Sequence, residues 1–259
     1  MRFPLHKMNC RLGKILDTIM VIPNSLANSI MNTTTIYPET KLLDAKQKAE
    51  HLFRETEQRR LIRTGITEKE LSDKIYQLAQ ELFGIRKYWH KRVVRAGINT
   101  LCPYRENPPN LTIQDGDLVF LDFGPVFEDW EADLGRTFLV GNAPEKQAII
   151  NDLEIVFQEA KRYYLNKPNM TGKELFNYVV NCSKQHGWLY GGPHAGHLIG
   201  VFPHEKHLGD CPDNYICTDN NKPMNKLDVK GQQRHWILEV HLVEPERRYG
   251  AFYEDLLTI

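Results

Sequence analysis

Apolar residues recur at helical spacing in some stretches of the chain and alternate with polar ones in others, and the two periods mark different elements. Leu42 to Arg63, rich in Lys, Glu, Gln and Ala, predicts a helix. Thr67 and Glu70 form a capping box that opens a second helix over Glu68–Phe83, with Leu71, Ile75, Leu78 and Leu82 on one face and Gly84 as its stop. Ala143-Pro144-Glu145 starts a third, with proline in its first turn, that runs to about Leu165. Thr171 and Glu174 are a second capping box, and the helix they open ends near Gly187. Strand-like runs cover Trp89 to Gly97, the segment from Leu118 to Gly124-Pro125, Gly135 to Val140, Trp236 to Val243 and Ala251 to Thr258. No parallel strand–helix–strand rhythm links them. The fold class predicted is α+β, an antiparallel sheet backed by helices.

The same alternation picks out anomalies. One face of the Leu118 strand carries Leu118, Phe120 and Asp122; another strand offers Ile237, Glu239, His241 and Val243; a third offers Phe252, Glu254 and Leu256. Each strand places an acid on a largely apolar face, and Asp133 begins a fourth. Ionised carboxylates are almost never fully buried unless paired or bound to a metal. If the faces converge, four carboxylates repel one another and some are driven neutral. Two divalent cations would cancel that charge, with a neutral imidazole completing the shell. Oxygen ligands with one nitrogen suit Mn, Co, Fe or Zn. The imidazole candidate lies in His194-Ala195-Gly196-His197-Leu198-Ile199-Gly200, where glycines allow close backbone approach; His204 follows.

Composition narrows the partners. Lys plus Arg number 33 and Asp plus Glu 33, so the formal net charge is zero and no basic nucleic-acid footprint is expected. The five cysteines (Cys10, Cys102, Cys182, Cys211, Cys217) are irregularly spaced, which predicts free thiols in a reducing, cytoplasmic setting. No run of eighteen apolar residues predicts a membrane span. Residues 1–36 hold a weak apolar stretch, Ile15 to Ile30, interrupted by Asp17, Pro23 and Asn24, and are read as an N-terminal extension to a domain over 37–259.

Taken in order, Asp122, Asp133, Gly196-His197-x-x-Gly200, His204, Glu239 and Glu254 resemble the pita-bread metallopeptidases: methionine aminopeptidases, aminopeptidase P and prolidase. The resemblance covers roughly residues 40 to 259. It implies the pita-bread fold, a curved antiparallel sheet backed by helices, and two divalent metal ions, manganese foremost. It implies that Asp122 serves one metal, that Asp133 and Glu254 are shared, and that His197 and Glu239 complete the other. It further implies a bridging water as nucleophile, Glu239 assisting proton transfer, and His204 or His194 stabilising the oxyanion. His90 and His204 match histidines that contact substrate; His241 joins the substrate-binding candidates only by sharing the Glu239 face. The expected activity is removal of an N-terminal residue from peptides or cleavage of dipeptides, Xaa-Pro substrates included, by a chain that forms a homodimer or acts alone.

Two departures bear on proline specificity. A single residue, Ala195, separates His194 from Gly196, where the aminopeptidase P and prolidase branch usually has two. Phe252 stands where proline-specific members usually carry arginine. Two other functions stay open: a binding module that has lost hydrolysis, and a creatinase-like C–N hydrolase of a small molecule. Individual residues also have plainer readings. Asp133 could pair with Arg136, Glu239 with Arg234 or Arg247, and Glu254 with a lysine. Lys91, Arg92 and Arg95 read as a solvated strand face. Glu128, Asp129 and Glu131 are loop acids that line the entrance to the site or are solvated, the solvated reading being preferred, and His207 reads as a solvent residue.

Overall fold

The computed structural model describes residues 38–204, 211–228 and 230–259. Four helices, α1 (Pro38–Gln58), α2 (Glu68–Phe83), α3 (Gln147–Leu165) and α4 (Gly172–Gln185), accompany nine strands. These are β1 (Val93–Ala96), β2 (Leu118–Phe123), β3 (Val126–Phe127), β4 (Trp130–Glu131), β5 (Leu134–Leu139), β6 (Leu189–Tyr190), β7 (Leu198–Ile199), β8 (His235–Val243) and β9 (Gly250–Leu256). The main sheet runs β1-β2-β5-β9-β8-β6, with β7 also on β8 and every pairing antiparallel. β3 and β4 form a separate hairpin. The α+β expectation is met.

Both capping boxes form. Thr67 accepts from the Glu70 amide while Glu70 accepts from the Thr67 amide, and Thr171 and Glu174 repeat the exchange. Gly84 closes α2 in the left-handed conformation. α1 lies earlier than the periodicity predicts: Pro38 is its first residue, and Arg60, at φ +52°, has already left the helix. The strand expected over Trp89–Gly97 shrinks to Val93–Ala96. Its first residues instead bridge to the loop after β2, with the Trp89 amide donating to the Gly124 carbonyl at 2.9 Å.

The helices pack mainly on one face of the sheet, while Leu42 at the start of α1 meets Ile237 and Leu256 on the other. Leu52, Phe53, Leu71 and Ile75 of α1 and α2 meet Val119 and Leu121 of β2. Leu153, Phe157 and Val179 of α3 and α4 meet Trp236, Leu238 and Val240 of β8. Asp255 shares this face, and its buried charge is compensated by Lys46 at 2.6 Å and Arg136 at 2.7 Å.

Arg95 of the basic cluster is buried, not solvated, whereas Lys91 is exposed as expected. All four β1 residues are buried. Arg95 donates to the Glu106 carbonyl at 2.8 Å, Lys91 donates to the same carbonyl, and the Arg92 guanidinium lies over Tyr76 and Tyr88. These side chains fasten the loop after Leu101 and α2 to the start of the sheet, and Arg95 is thereby withdrawn from water. Residues 1–36, Cys10 and His207 lie outside the described residues.

Candidate metal centre

Cross-strand register gathers the acids. Val93 opposes Asp122, Asp122 opposes Gly135, Gly135 opposes Glu254, and Glu254 opposes Glu239. One line across five strands therefore holds three carboxylates on the face away from the helices. Two glutamates directly opposite each other are destabilising unless something compensates them. Gly135 makes the approach feasible, since a Cβ there would run into the Phe252 ring and the Glu254 Cβ. Asp133 enters from the turn between β4 and β5.

The histidines close the ring. Asp133 lies 3.1 Å from His90 Nε2 through one oxygen and 3.2 Å from His197 Nε2 through the other. His90 Nε2 is also 3.4 Å from Asp122, and His197 Nε2 is 3.7 Å from both Glu239 and Glu254. Gly196, at φ +131°, carries His197 into place where a Cβ would strike the Ile237 carbonyl. His194 Nδ1 stands 3.4 Å from Glu239. His204 lines the same cavity, which encloses about 180 Å³ together with Trp89, Tyr104, Arg105, Asn214 and Tyr215.

His241 is set apart. Its Nε2 donates to the Thr100 carbonyl at 2.9 Å, and burial holds its pKa below the usual histidine value. It faces an adjoining cavity of about 120 Å³ that Val93, Phe120 and Phe252 also line.

Protons alone balance this site poorly. Burial pushes Asp122 up to about 7 and drives Glu254 well above the carboxylate range, where the neighbouring Asp133 adds repulsion. Asp133 is buried too, but His90 and His197 hold it down at about 2. His90 would be lowered by burial, yet the Asp133 and Asp122 charges lift it to about 9. His197 is raised well above its ordinary value by the same kind of contest, against Asp133 and Glu254. Protons on two imidazoles and on carboxyls thus stand where positive charge is needed.

The donor set fits divalent cations better. His197 and His90 each turn Nδ1 to a backbone carbonyl, of Leu198 at 2.7 Å and Lys91 at 2.6 Å, which aims Nε2 at the acids. Glu254 Oε2 is buried and has no hydrogen-bond partner. Asp133 belongs to two groups whose ligand atoms lie within 4.8 Å of one another, one with His90 and Asp122 and one with His197 and Glu254.

The plainer pairings do not form. Arg136 turns to Asp255 and the Glu254 carbonyl instead of Asp133. Glu239 meets His194 and His197, and Glu254 meets His197. Cys102, Cys182, Cys211 and Cys217 are free.

Several neighbours escaped the sequence reading, Tyr104, Arg105, Asn214 and Tyr215 of the cavity wall among them. Trp89 packs edge-on against His90, His197 and His204, with ring centroids 4.4, 5.1 and 5.1 Å away. Glu131, expected in solvent, is 1% exposed and hydrogen-bonded to His204.

Comparison with known proteins agrees with this geometry. The model of metallopeptidase family M24 matches residues 40–259. The chain belongs to that family. Among curated relatives, the Xaa-Pro dipeptidase of Pyrococcus furiosus is 32% identical over 146 residues, 56% of this chain and 41% of that protein. This chain thus spans about two fifths of that relative's length. Among solved structures, the X-Pro aminopeptidase of Thermotoga maritima superposes with a TM-score of 0.67 at 22% identity, covering 86% of this chain and 61% of that one. Methionine aminopeptidase from Rickettsia prowazekii gives 0.64 at 14% identity, covering 86% of this chain and 97% of that one. At such identities these structures establish the shared α+β fold. No helix among the described residues is long and apolar enough to cross a membrane.

Proposed function

We propose that this chain is a dinuclear metal-dependent peptidase that releases the N-terminal residue of a peptide or splits a dipeptide. The observation that carries the reading is Asp133, whose two oxygens face two separate buried ligand groups. In this reading Asp122 would hold one cation, Asp133 and Glu254 would serve both, and His197 and Glu239 would hold the other. The oxygen-rich set with one imidazole suits manganese. When bound, the cations supply Lewis acidity, polarising the scissile carbonyl and making a water more acidic.

The side chains supply the rest. Glu239 is lowered in pKa mainly by His194, against the cost of burial, so it stays ionised; in this reading its carboxylate assists proton transfer. His194 and His204 border the cavity and present ring nitrogens for a developing oxyanion. His90, beside Asp122 and Asp133, orients the substrate. The adjoining cavity, with Phe120 and Phe252, gives one substrate residue an apolar berth. Proline fits such a surface, and so do other apolar side chains. The relatives named Xaa-Pro dipeptidase support including Xaa-Pro peptides among the substrates.

Metal analysis combined with a peptide panel tests this. Protein purified without chelator and supplied with manganese or cobalt is expected to hold about two ions per chain. It should cleave peptides in a chelator-sensitive way. Protein that binds no metal would be a binding module, and metal without cleavage of any peptide would point to a small non-peptide substrate.

A further inference from the structure

We propose that Glu131 is a positioning residue: it fixes the tautomer and direction of the His204 ring, and it affects catalysis only through that ring. The kinetic half of this rests on the peptidase reading above; the structural half does not.

Glu131 is 1% exposed, and an isolated buried carboxylate is strongly unfavourable. No lysine or arginine pairs with it among the described residues. Both of its oxygens instead serve His204. Oε1 accepts from the His204 backbone amide at 3.1 Å, and Oε2 is in short contact with His204 Nδ1. An ionised carboxylate only accepts, so Nδ1 must carry the hydrogen. That leaves Nε2, on the opposite side of the ring, as the nitrogen available to the cavity that His204 lines.

The backbone explains why this carboxylate sits there. The hairpin of β3 and β4 runs beside the segment that leads to His204. The Glu131 amide donates to the Gly200 carbonyl at 3.1 Å, the Phe202 amide donates to the Asp129 carbonyl at 2.8 Å, and Trp130 bridges Val201. Two short rungs therefore place Glu131 beneath His204 before any side chain is counted. Packing limits the ring further. It stacks on His197, at 6.1 Å between centroids and 7° between planes, and Trp89 abuts it edge-on at 5.1 Å. These contacts restrict the ring plane but leave its two flipped orientations alike in shape. The Glu131 carboxylate is what distinguishes one from the other.

Substituting the carboxylate tests this by two readouts. Glu131→Gln keeps the volume but faces two donors with an amide, one half of which is itself a donor. In ¹⁵N-imidazole spectra of the diamagnetic zinc form, wild-type His204 is expected to be protonated at Nδ1. In E131Q the proton should move to Nε2 or divide between the nitrogens. Turnover in E131Q and Glu131→Ala should fall about 10- to 100-fold, the scale for partners that orient a working histidine, with KM changed far less. In a His204→Ala background, adding E131A should change turnover less than about threefold, because the ring that transmits the effect is gone. Equal losses with and without His204 would show that Glu131 acts through the fold and would overturn the proposal. So would a wild-type His204 lacking the Nδ1 proton, or an E131Q tautomer identical to wild type. If no peptide is cleaved at all, the peptidase reading fails, and the ¹⁵N spectra still decide the role of Glu131. If E131A does not fold, E131Q carries the test.

Discussion

The two faces of the main sheet are written in the same strands, one residue out of step. On β8, Trp236, Leu238, Val240 and Leu242 turn to the helices, while Ile237, Glu239 and His241 turn the other way. On β2, Val119, Leu121 and Phe123 are core, while Phe120 and Asp122 face the site. The first set follows the ordinary rule that apolar area leaves water. In the second set Ile237 and Phe120 follow it as well, but Asp122 and Glu239 break it by bringing like charges together under cover. The helix-covered face therefore carries the stability of the fold, and the open face draws on that stability to keep its acids in place. Asp255, the sheet acid on the helix-covered side, has two cationic partners, whereas Glu254 beside it has an unbonded buried oxygen.

The largest effect expected from breaking this contrast is on activity. Glu254→Gln is nearly isosteric, and it should reduce turnover by at least roughly 10³-fold, since a metal ligand supports several kcal/mol of transition-state stabilisation. Its urea midpoint without metal should equal or exceed that of the wild type, because the replaced carboxyl is driven well above its usual pKa. A fully active variant would remove Glu254 from the centre. Leu238→Ala, one strand over on the covered face, should do the reverse. It should cost about 2–5 kcal/mol of unfolding free energy while turnover per folded molecule is retained, and a loss confined to kcat would contradict the division of labour.

The smallest effect is a pH dependence of the metal-free protein. Asp122 has a folded pKa raised to about 7, so ionising it is harder in the fold than in the unfolded chain. The stability tied to its neutral form is fully present below about pH 4, the ordinary aspartate value, and is lost as the pH rises towards 7. Asp122→Asn does not titrate. Its advantage over wild type in urea melts should be absent near pH 4, grow through neutrality and then level off. A gap independent of pH would mean that Asp122 is not held in the strained state described.

Much of this was legible beforehand because it was periodic or local. The capping boxes, the helix of Glu68–Phe83 and the alternation on β2, β8 and β9 each depend on residues a few positions apart. The family followed from the order and local setting of its motif residues. The neighbours that escaped notice depend on chain segments meeting. Glu131 reads as a loop acid until the β3–β4 hairpin lies beside the strand leading to His204. Arg95 reads as solvated until the loop around Glu106 folds over it. Trp89 reads as a strand residue until three histidines surround its ring.

By itself, then, the sequence determined the four helices and the five longer strands of the main sheet, which side of three of them bears an acid, and the metallopeptidase family to which the chain belongs. These are consequences of side-chain spacing along one polymer. Only the tertiary structure decided that Glu239 and Glu254 stand opposite each other, that Asp133 turns one oxygen to each histidine, and that Glu131 is buried under His204. Those facts are distances between segments remote in the chain, and they exist only once the covered face has packed and brought the segments together.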